Sequence, residues 1–335
     1  MEANTERWLS VHVFLADPGL QERYLAERVA PCVRAWRADG WLAHWFFIRY
    51  WEGGPHLRIR LAGEVGGRAD AVLAALGGEI GRWRAAAAPS REAYYRGHAF
   101  DGVPVDPARL PWYPEGSVVA IDYEPETARY GGAWALPASE QLFGLSSELA
   151  LGLFAQGAQP MHARLSLAFA LMAAAALAIG VAPAGLAVFF ERYAGYWARH
   201  SADTAALALR LAAQAAPVPA AQVALLGRLA DTLAGGAGAA GGGRNAVLAW
   251  AGGMAGLAAR LGQLYEAGRL DLPYGGRRAA SAADRELALH AIAGSQLHML
   301  NNRLGIVPAA ELVLATTLAR AAAQAAQPAT VLEDA

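Results

Sequence analysis

The stretch Trp45–Gly63, WFFIRYWEGGPHLRIRLAG, constrains this chain more than any other. Two hydrophobic runs flank a Gly-Gly-Pro corner, and glycines after a polar residue supply the positive φ angles of a tight turn, so the runs predict an antiparallel hairpin. Strand side chains alternate faces. In the second run Leu57, Ile59 and Leu61 share one face, while His56, Arg58 and Arg60 share the other. In the first run Arg49 shares its face with Trp45 and Phe47. Enclosed guanidiniums require anionic partners, because an unpaired buried charge costs several kcal/mol. Glu52 is the only acid in the hairpin. The bland reading is a solvated strand face; the sharper one is a face that binds an anionic ligand.

Arginine abundance by itself says little. All 28 basic residues are arginine, as a GC-rich coding bias would give, so only an arginine's position counts. Net charge is −1, which provides no global field for nucleic acid. Cys32 is the single cysteine, which excludes an internal disulfide or a CxxC zinc site and fits a reducing cytoplasm. The N-terminus carries Glu2, Glu6 and Arg7 and does not read as a signal peptide. The uncharged run Leu165–Phe190 is long enough to span a bilayer, but it is mostly alanine and is interrupted by Pro183. It predicts a buried helix followed by a second one.

Along the chain, Trp8–Ala16 and Ser117–Pro125 read as further strands, and Gly19–Gly40 as a helix with a kink or boundary at Pro31. The stretch from Gly67 to Ala88 also reads as a helix. From about Ser139 the pattern becomes helix after helix: Ser139–Gln156, Met161–Ile179, Pro183–His200, Ala220–Ala234, Asn245–Gly268, Ala283–Leu304 and Ala309–Ala326. A Gly-rich loop (Ala234–Asn245) and the break Asp271–Asp284 punctuate them. The expected class is α+β: a sheet-bearing part over residues 1–137 and a helical part over 138–335, packed as one domain.

Two later segments join the hairpin. YEPETARYGG (Tyr123–Gly132) follows a strand and ends in a glycine pair, which lets backbone approach closely and puts Arg129 on a strand-terminal loop. GSQLHMLNNRLG (Gly294–Gly305) is a polar cluster in an Ala/Leu helix, with His298, Asn301 and Asn302 on neighbouring turns. A lone histidine in a helix is ordinarily a hydrogen-bonded core residue. The eight histidines show no metal-ligand spacing, and His98 and His162 lack supporting context, so no metal is expected.

Taken in order, FFIRYWEGGPHLRIRL, YEPETARYGG…SEQLF…SS and LHMLNNRLG resemble the C-terminal, glutamate-elimination domain of lantibiotic dehydratases, which also occurs as a stand-alone thiopeptide-type bacteriocin biosynthesis protein. The resemblance runs from Trp8 to about Ala322. It implies a cytoplasmic, cofactor-independent lyase acting on a precursor peptide of leader and core. A separate glutamyl-tRNA-dependent protein would esterify Ser or Thr, and this chain would expel glutamate to leave dehydroalanine or dehydrobutyrine. The catalytic positions implied are Arg58, Arg60, Arg129 and His298. Arg49, His56, Tyr130, Asn301, Asn302 and Arg303 are the expected substrate contacts. Tyr50, Tyr94, Tyr95, Tyr113 and Tyr123 are further pocket candidates among which spacing does not select. Neither a membrane nor direct nucleic-acid contact is expected, and a homodimer is compatible. A sister group on the same scaffold joins two dehydroalanines by formal [4+2] aza-cycloaddition to a pyridine with leader loss. A non-catalytic component that pairs the leader with a sheet edge is a third reading.

Overall fold

The computed structural model describes residues 8–96, 99–100, 103–104, 106–199, 202–213, 216–235 and 246–327. His98, His200 and most of the Gly-rich loop after Gly235 lie outside the described residues. The chain divides into two compact units that interleave in sequence: Met1–Met161 with Ala259–Gly305, and His162–Ala258 with Ile306–Ala335.

The first unit is built on a four-stranded antiparallel sheet in the order β2-β3-β1-β6, from β1 (Trp8–Phe14), β2 (Leu42–Tyr50), β3 (His56–Gly63) and β6 (Val118–Ala120). The expected hairpin is β2–β3, paired from Tyr50↔His56 to Leu42↔Gly63. Its alternation makes the core: Val11, Val13, Trp45, Phe47, Leu57, Ile59 and Leu61 line one face and are almost wholly buried. Burying each such side chain contributes roughly 1.5–3 kcal/mol.

Two helices cover this side, α1 (Pro18–Tyr24), capped by Asp17 with Pro18 in its first turn, and α2 (Ala30–Ala38). Between them Leu25–Val29 winds as a wide π-type turn. Pro31 explains it: the ring lacks an N–H and crowds the carbonyl four residues back, so the helix widens there instead of ending. Then come α3 (Ala69–Gly77), the single-turn α4 (Arg91–Tyr95) and the small hairpin of β4 (Ala99–Phe100) and β5 (Val103–Pro104). The strand expected over Ser117–Pro125 is real only at Val118–Ala120.

The outer edge of β2 is closed by α5 (Leu136–Phe154) and α11 (Ala282–Arg303). Phe47 N donates to Ser147 Oγ at 3.1 Å, and the Asn302 side chain brackets Arg49. Its Oδ1 accepts from Arg49 N and its Nδ2 donates to Arg49 O, both at 2.9 Å. Side chains thus satisfy main-chain groups that an edge strand would otherwise expose.

The second unit is helical. It comprises α6 (Met161–Ala178), α7 (Leu186–Ala198), α8 (Ala202–Ala213), α9 (Ala220–Ala234) and α12 (Pro308–Ala325), with the dividing point falling inside α10 (Ala246–Glu266). Helix α12 packs on α7, α8 and α9. Buried Glu311 at its start accepts a 2.7 Å hydrogen bond from Tyr193 Oη. The long uncharged run folds as α6, a short turn at Pro183–Gly185 and then α7. Helix α6 is long and apolar enough to cross a membrane by length and composition, and half of it is buried in the protein.

Candidate functional site

The strand register separates the arginines of the hairpin. Arg58 and Arg60 stand opposite His12 and Ser10 of β1, and opposite Ile48 and Phe46 of β2. Arg49 pairs with Leu57 and therefore lies on the other face of the sheet. There its guanidinium is taken up by Gln21 Oε1 at 2.9 Å and Glu22 Oε1 at 3.2 Å. Only Arg58 and Arg60 remain on the polar face.

These two are enclosed without a carboxylate. Arg58 Nε donates to His56 Nε2 at 3.2 Å, and its guanidinium carbon lies 3.4 Å from the centroid of the Tyr50 ring. Arg60, 3% exposed, bonds Ser10 Oγ and His12 Nε2 and sits 5.1 Å from the centroid of the Tyr123 ring. No described carboxylate lies within ion-pair distance of either. Burial pushes the Arg60 pKa down to about 10, with Arg58 adding like-charge repulsion. Burial also holds His56 down to about 4 and His12 to about 2, so both imidazoles are neutral in the fold.

The loop Tyr123–Gly132 turns back on itself through Gly132 N donating to Thr127 O at 2.9 Å. Gly131 and Gly132 take φ of +83° and +93°, which explains the glycine pair. The segment after α10 straps the loop in place: Asp271 N donates to Gly131 O at 3.0 Å and Tyr274 N to Ala128 O at 2.8 Å. Arg129 is thereby fixed. Its Nη1 meets Glu126 Oε2 at 3.1 Å, and its Nε donates to Ser295 Oγ of α11 at 3.1 Å. The Glu126 carboxylate is 55% exposed, and the loop meets the hairpin at Tyr123, whose ring centroid lies 5.1 Å from the Arg60 guanidinium carbon and 6.1 Å from that of the Phe46 ring.

On α11, Ser295, His298 and Asn302 follow at i, i+3 and i+7 and form one stripe. Ser295 receives Arg129 and Asn302 brackets β2, which leaves half-exposed His298 between these two attachments. Asn301 and Arg303 flank this stripe on its two sides, both 0% exposed. Arg303 Nε donates to Ser147 Oγ at 3.0 Å and Nη1 to Met299 O at 2.9 Å. Its guanidinium carbon is 5.0 Å from the Phe143 ring centroid and 5.9 Å from that of Phe46, and burial pushes its pKa down to about 9. Tyr130, 2% exposed, packs edge-on to Phe143.

Arg58, Arg60, Arg129 and the His298 stripe all belong to the first unit, with Arg58 and Arg60 on one sheet face and Arg129 tied to the stripe through Ser295. The structure sets Arg49 apart and encloses His56, Tyr130, Asn301 and Arg303 in the surrounding wall. Sequence reasoning missed Glu126, His12 and Ser295. Only Glu126 left a local trace, three residues before Arg129. The remaining tyrosines divide too: Tyr123 Oη donates to Glu140 Oε1 at 2.8 Å, whereas Tyr94 and Tyr95 cluster with Trp112. Among the described residues no three His, Cys, Asp or Glu side chains converge as a metal would require.

The family described as lantibiotic biosynthesis dehydratase C-term matches residues 8–322. Among solved structures, the pyridine synthase TbtD from thiomuracin biosynthesis is similar over 95% of this chain and 98% of its own, with a TM-score of 0.66 and 20% identity. TsrL is similar over 96% and 95%, with a TM-score of 0.63 and 18% identity. The tRNA-dependent lantibiotic dehydratase MibB from Microbispora sp. 107891 is similar over 95% of this chain and 28% of its own, with a TM-score of 0.51 and 22% identity. At these identities the structural likenesses speak to fold. No functionally curated protein matches.

Proposed function

The chain belongs to the lantibiotic biosynthesis dehydratase C-terminal family, and from that premise we propose that it catalyses β-elimination of glutamate from glutamylated Ser or Thr in a ribosomally made precursor peptide. The observation that carries this reading is the pair of guanidiniums on the polar sheet face, Arg60 buried and Arg58 partly so, held by histidine and serine with no described carboxylate in ion-pair range. Elimination needs such charge. Removing the α-proton of the esterified residue builds negative charge on the adjacent carbonyl oxygen, and fixed cations lower that barrier. The electron pair forms the Cα=Cβ bond, the Cβ–O bond breaks, and glutamate departs as a carboxylate, which the arginine fork accommodates.

In this scheme Arg58 and Arg129 bind the glutamyl group, and Arg60 adds its field from behind Tyr123. His298 is the general acid/base: it takes the α-proton and, because glutamate leaves as a carboxylate, then releases that proton to water. Glu126 holds Arg129 until substrate arrives. A separate protein supplies the glutamyl ester from glutamyl-tRNA.

Purified protein incubated with a glutamylated linear peptide should release glutamate and leave a dehydrated residue, read by mass spectrometry. His298→Ala should leave the glutamyl adducts unconsumed; turnover at the wild-type rate would remove His298 from the mechanism. The full-length likeness to a pyridine synthase supports a second reading, cycloaddition of two dehydroalanines. The two dehydroalanines it would join are neutral and release no carboxylate for the arginines to bind. A preformed bis-dehydroalanine peptide that loses water and leader, alongside a glutamylated peptide left intact, would replace the elimination reading with this one.

A further inference from the structure

The two arginines on the polar face pose a question that elimination alone does not answer: what holds them, if not carboxylates. A guanidinium has five N–H donors and no acceptor, so something must offer lone pairs. Here the acceptors are neutral. Arg58 Nε donates to His56 Nε2 at 3.2 Å, and Arg60 Nη1 bonds His12 Nε2 at 3.1 Å and Ser10 Oγ. The tautomer of His56 follows from its two contacts. Its Nδ1 lies 2.8 Å from Gly54 O, and a carbonyl only accepts, so Nδ1 carries the proton. Arg58 only donates, so Nε2 carries the lone pair. The same logic puts a lone pair on His12 Nε2.

The rest of the environment keeps this arrangement rigid. The two imidazoles stack at 4.8 Å between centroids, His56 stacks on Phe14 at 4.5 Å, and Phe14 on Tyr113 at 4.5 Å. His56 is 1% and His12 3% exposed. The Gly-Gly-Pro corner takes part: Gly54 at φ +109° turns its carbonyl to the Nδ1 proton. The corner sets a tautomer as well as closing a hairpin.

We propose that His56 and His12 are positioning residues, neutral imidazoles whose Nε2 lone pairs aim Arg58 and Arg60 without cancelling their charge. A carboxylate at either place would hold the guanidinium as well and would compete with an anionic ligand for it. The arrangement rests on the elimination reading for its use, and on geometry alone for its existence. It gives His56 and His12 a role behind the substrate contacts, through the arginines.

The test has two independent arms. In the first, the full chain is labelled with 15N-histidine, and the two imidazoles are assigned by their loss in His12→Phe and His56→Phe, which keep the ring stack. At pH 7 both should show a pyridine-type Nε2 and a protonated Nδ1, the tautomer that free histidine disfavours. An Nε2–H tautomer or a cationic ring at either position overturns the proposal. In the second, glutamate release from a glutamylated linear peptide is compared for His56→Gln and His56→Glu. Both accept from Arg58, but only the second brings a negative charge. Loss of a hydrogen bond to a charged group weakens an interaction by ~10- to 100-fold. The Glu variant should accordingly raise KM at least ~10-fold above the Gln variant, with kcat changing less. Equal KM values, or a more active Glu variant, overturn it. If the wild-type protein releases no glutamate, the elimination reading fails, and the imidazole spectra still decide whether neutral histidines hold the arginines.

Discussion

Arg303 shows how this protein spends stability on charge. It is wholly buried, packed beside the adjoining Phe46 and Phe143 rings, and bonded to a serine hydroxyl and a helix carbonyl with no described carboxylate in ion-pair range. Its Nη2 has no hydrogen-bond partner among the described residues. Desolvation is therefore poorly offset, and removing the guanidinium strands little, since Ser147 Oγ keeps its bonds with Phe47 N and Phe143 O; an apolar side chain of similar length is expected to be near neutral or stabilising. Arg303→Met should leave the urea midpoint unchanged or raise it, while glutamate release falls. A large loss of stability would instead mean that the guanidinium is a structural member. The sequence exposed part of this economy: alternation in PHLRIRLA puts Arg58 and Arg60 on one face without any coordinates. It could not show that Arg49 leaves them, since that depends on the partner register and on Glu22, 27 residues away. The identities of Asn301 and Arg303 were legible, but their burial was not, because a helix periodicity does not say which turn meets the sheet.

Among the elements, the loop Tyr123–Gly132 matters most, because it joins the sheet to α11. Gly131 works under two constraints. Its φ of +83° disfavours any side chain, and an added Cβ would come within 2.9 Å of Leu270 Cδ1 and 3.0 Å of Ile292 Cδ1. The strain of an L-residue there costs on the order of 1–3 kcal/mol, and relief requires the loop to move with Arg129 on it. Gly131→Ala should lower the thermal midpoint by several degrees and cut glutamate release at least ~10-fold. Unchanged turnover would uncouple the loop from the chemistry. The glycine pair was readable as a close approach; what it approaches was not, since Leu270 and Ile292 lie well over a hundred residues on. Short-range signals served the hairpin, α5 and α11 well. They missed α8, whose Ala-rich stretch carries Asp203 near its start and Arg210 near its end yet little else to mark it. They also overextended β6, because apolar alternation continues past the three residues that find a partner.

At the scale of the molecule, a sheet followed by helices was legible as an α+β layout, but the interleaving was not. Residues 259–305 belong with the sheet-bearing unit, and nothing local in LHMLNNRLG says that its helix closes an edge formed 250 residues earlier. The same fold sets a global pH response. His12 and His56 have folded pKa values of about 2 and about 4, below the 6.5 of an exposed imidazole, because burial and the adjacent guanidiniums oppose a second positive charge. Above pH 6.5 both are neutral whether the chain is folded or not, and they leave stability unchanged. As pH falls below 6.5, the unfolded chain takes up protons that the fold refuses. Stability then drops by about 1 kcal/mol per pH unit for each imidazole, until the folded groups titrate. Ordinary carboxylates titrate around pH 4, so the window from 6.5 to 5 reports chiefly histidine. Hydrogen exchange of the β3 amides, corrected for intrinsic rates, should show opening free energies that are flat from pH 8 to 7 and then decline towards pH 5. His56→Gln should remove about half of that slope. A stability that stays level to pH 5, or a slope untouched by the substitution, would mean that the fold accommodates charged imidazoles beside Arg58 and Arg60 after all.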